Sequence, residues 1–63
     1  MEIKKLQYYD IYLNKELKFN NLTILETLMQ LSLLNSKVDI DLLNKYSVLH
    51  LQNSTTTIEV KRK

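Results

Sequence analysis

The sequence contains no cysteine, glycine, proline or tryptophan, and two of these absences exclude whole classes of site. Without cysteine, the chain has neither a disulfide nor a thiolate ligand for a metal. Without glycine, it cannot form the glycine-rich loops that hold the phosphate groups of nucleotides. We therefore expect a protein that is not an enzyme and that uses no cofactor.

The small size of the chain, 63 residues, predicts a single domain over residues 1–63. A domain of this size buries only about 60% of its unfolded surface, so its own core gives marginal stability. With no disulfide available, association with a second copy is the remaining common source of stability. The sequence therefore predicts a homo-oligomer, most simply a dimer.

The charge balance is mild, with a net charge of +2, whereas nucleic-acid-binding domains usually carry a more basic face. The longest apolar run is too short to cross a bilayer. The first residues, MEIKK, lead into polar residues and not into the apolar segment of a signal peptide. These features predict a cytoplasmic protein without a membrane partner.

Residues 22–35 form the longest strongly apolar stretch and predict the central helix. Thr23 and Glu26 have the spacing of a capping box at its start, and residues 35–36 supply its end. At 100° per residue, one face carries Ile24, Leu28 and Leu31, and a polar strip carries Glu26, Thr27 and Gln30.

A second apolar stripe on this helix, formed by Leu25, Met29 and Leu33, makes the apolar surface too wide for one sheet to cover. Two surfaces could cover this stripe. It is either a dimer interface, or it is covered by residues 36–46 of the same chain.

Residues 7–21 alternate between apolar and polar side chains and predict two strands joined by a loop at residues 14–16. That loop places Leu13 opposite Leu17 and Ile11 opposite Phe19, with all four facing the helix. A helix over the same segment is the alternative, but it would leave Ile11 and Phe19 on its polar side.

The rest of the chain predicts a short helix and a second hairpin. Residues 40–46 fit one or two helical turns, although the alternation in residues 38–42 also fits a strand. A turn at residues 53–54 pairs three sets of residues across the hairpin and places His50 beside Thr57 on its outer face. The predicted pairs are Leu51 with Thr56, Leu49 with Ile58, and Ser47 with Val60. The expected fold is α+β: two β-hairpins forming a small antiparallel sheet on one central helix, in the order β-β-α-short α-β-β.

Few residues suggest a chemical site. The single histidine, His50, has no recognisable catalytic partner, so a surface or interface contact is the simpler interpretation. The pair Asp39 and Asp41 lacks the further oxygen ligands and the glycine of a calcium loop, so no metal site is expected.

Two surfaces are candidates for binding a partner. The outward face of the sheet carries residues common at protein interfaces, and its predicted contacts are Tyr8, Tyr12, Lys18 and His50. The ends of the chain carry two basic clusters that would converge if the first and last strands were neighbours. As nucleic-acid contacts these would be Lys4, Lys5, Lys61, Arg62 and Lys63. The simpler interpretation is that the basic tail solubilises an edge strand.

Residues 9–15 (YDIYLNK) and 21–26 (NLTILE) resemble the beginnings of short phage and mobile-element proteins of low-GC bacteria. That resemblance implies a small soluble accessory protein that binds and inhibits a host protein. The order of residues 23–35, 40–46 and 47–61 also resembles the winged helix-turn-helix of small bacterial repressors. It departs from that pattern because residues 40–46 offer only Asn44 and Lys45 for DNA contacts.

Two functions follow as hypotheses. The first is a homodimeric protein-binding module that inhibits or adapts a larger host or element-encoded protein. The alternative is a small winged-helix-like regulator that binds DNA. Strands over residues 7–21 would favour the first hypothesis, and a helix there would favour the second.

Overall fold

The computed structural model describes residues 7–63, which form a four-stranded antiparallel sheet with two helices packed on one face. In chain order the elements are β1 (Tyr9–Leu13), β2 (Glu16–Leu22), α1 (Ile24–Leu33), α2 (Ile40–Lys45), β3 (Val48–Asn53) and β4 (Thr56–Arg62). The strands lie in the order β2-β1-β4-β3, so the two hairpins meet where β1 pairs with β4. The predicted α+β class and element order are confirmed.

The turn between β1 and β2 contains two residues and not the three predicted. Asn14 and Lys15 both have positive φ, at 50° and 69°, which is the backbone of a type I′ turn. Asn14 also fastens this turn to β4, because its N–H donates to the carbonyl of Thr57 and its Oδ1 accepts from the Thr57 N–H. The shorter turn pairs Leu13 with Glu16, so the predicted pairing of Leu13 with Leu17 is wrong.

Strand β2 is irregular, with a shift of register on each side of the pair Ile11–Phe19. The pairing of Ile11 with Phe19 was predicted and is confirmed. The shift next to it places Leu17 opposite Tyr12 on the outward face, where Leu17 is 49% exposed. One extra residue in a strand moves the following side chains to the other face, so the prediction that Leu17 faces the helix is wrong.

Helix α1 begins at the predicted capping box. The Glu26 N–H donates to Thr23 Oγ1 at 3.3 Å, and Glu26 Oε1 accepts from the Thr23 N–H at 3.0 Å. The helix ends with Asn35 at a φ of 60° and a bond from the Ser36 N–H to the Leu31 carbonyl, a Schellman motif. The start and the end both match the sequence prediction.

The face of α1 that meets the sheet carries the predicted residues and one that was not predicted. Thr27, placed on the polar strip, is fully buried, and its hydroxyl donates to the Thr23 carbonyl at 2.8 Å. A threonine can lie in a core when its hydroxyl bonds to the preceding turn in this way. The fully buried apolar core consists of Tyr9, Ile11, Leu31, Leu43, Ile58 and Val60, and Ile24 and Leu28 pack against it.

Helix α2 confirms the short helix predicted for residues 40–46, and it contributes Leu43 to the core. Asp39 occupies the N-cap position without a side-chain cap bond. At the other end, Arg62 Nη1 donates to the carbonyl of Asn44 at 3.0 Å. This bond satisfies a carbonyl that a helix C-terminus leaves without an internal partner.

The second hairpin turns at residues 54–55, one residue later than predicted. Leu49 pairs with Val60 and Leu51 with Ile58, so the three predicted pairings are wrong, and His50 lies opposite Glu59 and not beside Thr57. Each pairing moved by two residues, which preserves the faces, so the predicted set of inward residues is still correct. None of the helices in the described part of the chain is long and apolar enough to cross a membrane.

Candidate protein-interaction surfaces

The outer side of α1 presents a stripe of three large apolar side chains. Leu25, Met29 and Leu33 are 71%, 63% and 72% exposed. They follow one another at intervals of four residues, so they form a continuous row along one side of the helix. Residues 36–46 contain α2, which packs against α1 but leaves this row exposed. Covering by residues 36–46, one of the two alternatives, is therefore wrong.

The position of the stripe follows from the capping box and from the core face together. Thr23 and Glu26 set where the helix begins, and Thr27 and Leu31, both fully buried, set which side meets the sheet. The stripe then lies about 100–180° around the helix from Ile24, on the side away from the sheet. Helix α2 adds exposed apolar side chains of its own, Ile40 and Leu42.

The outward face of the sheet carries three of the four residues predicted to contact a partner, and the strands separate them. Tyr12 lies on β1 and Tyr8 just before it, whereas His50 lies on β3, beyond β4. The prediction that Lys18 joins them is wrong: Lys18 follows the outward-facing Leu17, and its Nζ is 3.2 Å from Oε2 of Glu16, which pairs with the inward-facing Leu13. This face is therefore a broad surface and not a compact pocket.

Two charged contacts cross this outward face. Lys61 Nζ lies over the ring of Tyr12, 4.5 Å from its centroid, which is a cation–π geometry. His50 Nδ1 lies 4.0 Å from Glu59 Oε2 on the neighbouring strand. In both contacts the charged residue, Lys61 or Glu59, lies on β4. Its partner ring lies on the neighbouring strand, β1 for Tyr12 and β3 for His50.

The basic residues at the end of the chain are engaged within the fold. Arg62 bonds to the end of α2, and Lys61 stacks on Tyr12. Lys63 Nζ donates to Asn20 Oδ1 at 2.9 Å and to Asn21 Oδ1 at 2.6 Å. Strands β1 and β4 are neighbours, which was the condition for the two basic clusters to converge. Lys4 and Lys5 lie outside the described residues.

Asp10, one of the polar residues in the alternating pattern of residues 7–21, is a buried carboxylate. It is only 9% exposed, and its Oδ1 accepts from the Asn21 N–H at 3.0 Å and lies 3.6 Å from Lys63 Nζ. Asn21 has a φ of 58°, so this bond fastens the irregular part of β2 to β1. These contacts lie at the register shift between the pairs Tyr9–Leu22 and Ile11–Phe19, and no sequence pattern signals that shift.

Within residues 7–63, no three histidine, cysteine, aspartate or glutamate side chains are grouped as a metal site. Asp39 and Asp41 are both exposed, at and just after the start of α2. The sequence matches no protein-family model, no curated protein and no solved structure.

Proposed function

We propose that this chain is a non-enzymatic protein-binding module that forms a homodimer through α1 and inhibits or adapts a larger protein. The observation that carries the proposal is the exposed row Leu25, Met29 and Leu33. Burying a large apolar side chain stabilises an assembly by about 1.5–3 kcal/mol, so a row of three favours association. Exposed apolar patches of this kind mark interaction sites.

A second copy can pack against this row because the row is symmetric about its central residue and can therefore pair with itself. Met29 lies at the centre, with a leucine four residues before it and another four residues after it. A twofold axis through Met29 places Leu25 of one copy against Leu33 of the other in an antiparallel helix pair. No charged side chain lies within the row itself, and Glu26, which lies beside it, is exposed and bonds to the Thr23 N–H.

The outward face of the sheet is the surface we assign to the target protein. Tyr8 is 38% exposed there and Val48 42%, and tyrosine is enriched at protein interfaces. In the dimer this face lies opposite the helices, so two copies present it on both outer sides. The resemblance of residues 9–26 to phage and mobile-element proteins suggests a cytoplasmic host protein as the target.

The DNA-binding alternative has less support. Residues 9–22 form strands β1 and β2 and not the helix that would favour a DNA-binding regulator. The hairpin proposed as a wing is part of the sheet, because β4 pairs with both β1 and β3. Arg62 and Lys63, which would contact phosphate, are engaged with Asn44, Asn20 and Asn21.

Affinity capture tests the target-binding part of the proposal. The wild-type chain and a Tyr8→Asp variant are immobilised and exposed to a lysate of a low-GC bacterium, and bound proteins are identified by mass spectrometry. We expect one host protein to be enriched by the wild type and depleted by Tyr8→Asp, since the charge lies on the target face.

A DNA-binding assay run beside the capture separates the two functions. Contacts to phosphate are strongest at low salt, so a DNA-binding protein would retain duplex DNA there and release it as salt rises. Salt-dependent retention of DNA, with no host protein recovered, would favour the regulator and exclude the proposed module.

A further inference from the structure

The two edges of the sheet differ in how well they are protected from pairing with another strand. Strand β2 has two shifts of register, a residue with positive φ at Asn21, and the charged residues Glu16 and Lys18. Irregularities and charges of this kind prevent a new strand from pairing with an edge. Strand β3 has none of them: its six residues pair with β4 in one unbroken register.

The sequence around β3 is also free of formal charge. No aspartate, glutamate, lysine or arginine occurs from Tyr46 to Ile58, although a quarter of the whole chain is charged. His50 is the only titratable side chain on β3 itself. A regular and uncharged edge of this length is open to the addition of a strand.

The main-chain groups that face outward from β3 can be identified from the ladder. The Arg62 N–H donates to the Ser47 carbonyl at 2.8 Å, which directs the odd-numbered residues of β3 towards β4. Main-chain groups of an antiparallel strand alternate in direction. The N–H and C=O groups of Val48, His50 and Gln52 therefore point away from the sheet, and within residues 7–63 no strand lies beyond them.

The side chains of β3 specify an apolar partner on the helix side. Leu49 and Leu51 point to that side and are only half-buried, while α1 lies over β1 and β2. An added strand with apolar residues at alternate positions would cover their outer flanks. Val48, 42% exposed on the opposite face, has room for a second apolar contact.

A positive charge just before the start of β3 favours an acidic residue at the facing end of the partner strand. Lys45 and Tyr46 come just before β3, and Lys45 Nζ lies over the Tyr46 ring at 5.5 Å from its centroid. Both residues are exposed. A strand that runs antiparallel to β3 brings its C-terminal end to this position, where an acidic side chain would face the ammonium group.

We infer that the β3 edge binds an extended segment of the target protein by strand addition, antiparallel to β3. The segment has apolar residues at alternate positions and carries no charge other than an acidic residue at its C-terminal end. This inference rests on the proposed function in one respect, that the target is a protein. A second copy is not the occupant, because a second self-interface on a chain that pairs through α1 would join dimers into larger assemblies.

Amide hydrogen exchange with a defined peptide tests this inference. The probe is a short acetylated and amidated peptide of alternating threonine and valine that ends in glutamate, added up to about 1 mM. We expect slower exchange at the amides of Val48, His50 and Gln52, with no change along β2. A peptide ending in lysine should bind more weakly, and a peptide N-methylated at alternate residues should give no protection.

A pair of variants separates the main chain of β3 from its side chain. His50→Pro removes the outward N–H, which β4 does not use, whereas His50→Ala keeps this N–H and removes the imidazole. Loss of one main-chain bond and a steric clash should weaken peptide binding roughly tenfold in His50→Pro and little in His50→Ala. The peptides test the same edge in the wild-type chain, so the result does not depend on either variant folding.

Repeating the exchange experiment in a Met29→Asp background keeps the two proposals apart. Protection of the β3 amides by the peptide in a monomeric background supports strand addition independently of the dimer. A dimeric wild type without such protection overturns strand addition and leaves the dimer intact. Protection that increases with protein concentration in the absence of peptide would assign the edge to a second copy and overturn the inference.

Discussion

The side-chain amide of Asn53 donates to the main-chain carbonyl of Leu34 at 2.7 Å. Asn53 is the last residue of β3, and Leu34 is the C-cap of α1, so this bond joins the end of the helix to the end of the sheet. Asn53 Oδ1 also accepts from the Ser54 N–H at 2.9 Å. One side chain thus holds the helix and begins the hairpin turn, which explains why the turn lies at residues 54–55.

Removing the Asn53 amide should destabilise the fold. Asn53→Ala leaves the Leu34 carbonyl without its donor, and we expect a loss of about 1–3 kcal/mol in the free energy of unfolding. Chemical denaturation monitored by circular dichroism measures it. Asn53→Asp keeps an acceptor for the Ser54 N–H but cannot donate to Leu34, so it should be at least as destabilising. An aspartate variant as stable as the wild type would show that the bond to Leu34 does not matter.

Glycine at position 15 should stabilise the protein. Lys15 has a φ of 69°, a conformation that costs a residue with a Cβ atom about 1–2 kcal/mol and glycine almost nothing. After allowance for the greater freedom of glycine in the unfolded chain, we expect Lys15→Gly to add about 0.5–1 kcal/mol. Ser54→Gly is the control, because Ser54 has no positive φ and should gain nothing. Equal effects at the two turns would contradict this account of the first hairpin.

The outward position of Leu17 predicts a small effect of truncation. Leu17→Ala should change the free energy of unfolding by no more than about 0.5 kcal/mol, since the side chain is half-exposed. Its neighbour on the inward face, Ile11, is fully buried, and even the conservative Ile11→Val should cost about 0.5–1.5 kcal/mol. A loss of about 2–5 kcal/mol in Leu17→Ala would instead place Leu17 in the core, as the simple hairpin predicted.

The capping box of α1 predicts a loss of about 1 kcal/mol for Thr23→Ala, measured by thermal or chemical unfolding. Thr23→Ser keeps the hydroxyl that accepts from the Glu26 N–H and should retain most of that stability. A double-mutant cycle with Glu26→Ala should show a coupling energy, because the two side chains cap each other's main chain. Strict additivity would mean that the reciprocal pair is not formed.

The parts of the fold that local patterns determine were predictable from the sequence. The capping box at Thr23 and Glu26 places the start of α1, and alternation in β3 and β4 places Leu49 and Ile58 on the inward face. Both rules depend only on residues close together in the chain. The outer stripe on α1 was predictable for the same reason, because helical spacing alone sets it.

The errors arose where a local signal was missing or misleading, or where residues far apart in the chain meet. The type I′ turn at Asn14 and Lys15 lacks its usual glycine, so no residue type signals its length. Strand β2 has one shift of register that turns Leu17 outward and a second where Asn21 bonds with Asp10 and Lys63, residues far apart in the chain. The burial of Thr27 depends on its bond to the Thr23 carbonyl, which a polar classification of threonine overlooks.

Sedimentation velocity tests whether two copies of the chain pair through α1. The wild type, Leu25→Asp and Leu17→Asp are compared from about 1 to 100 μM, a range that covers micromolar dissociation constants. Leu17→Asp is the matched control, because it places the same charge at an exposed leucine on the sheet. Pairing through α1 predicts dimers for the wild type and Leu17→Asp and a monomer for Leu25→Asp. A wild type that stays monomeric throughout, or a Leu25→Asp variant that stays dimeric, would contradict it.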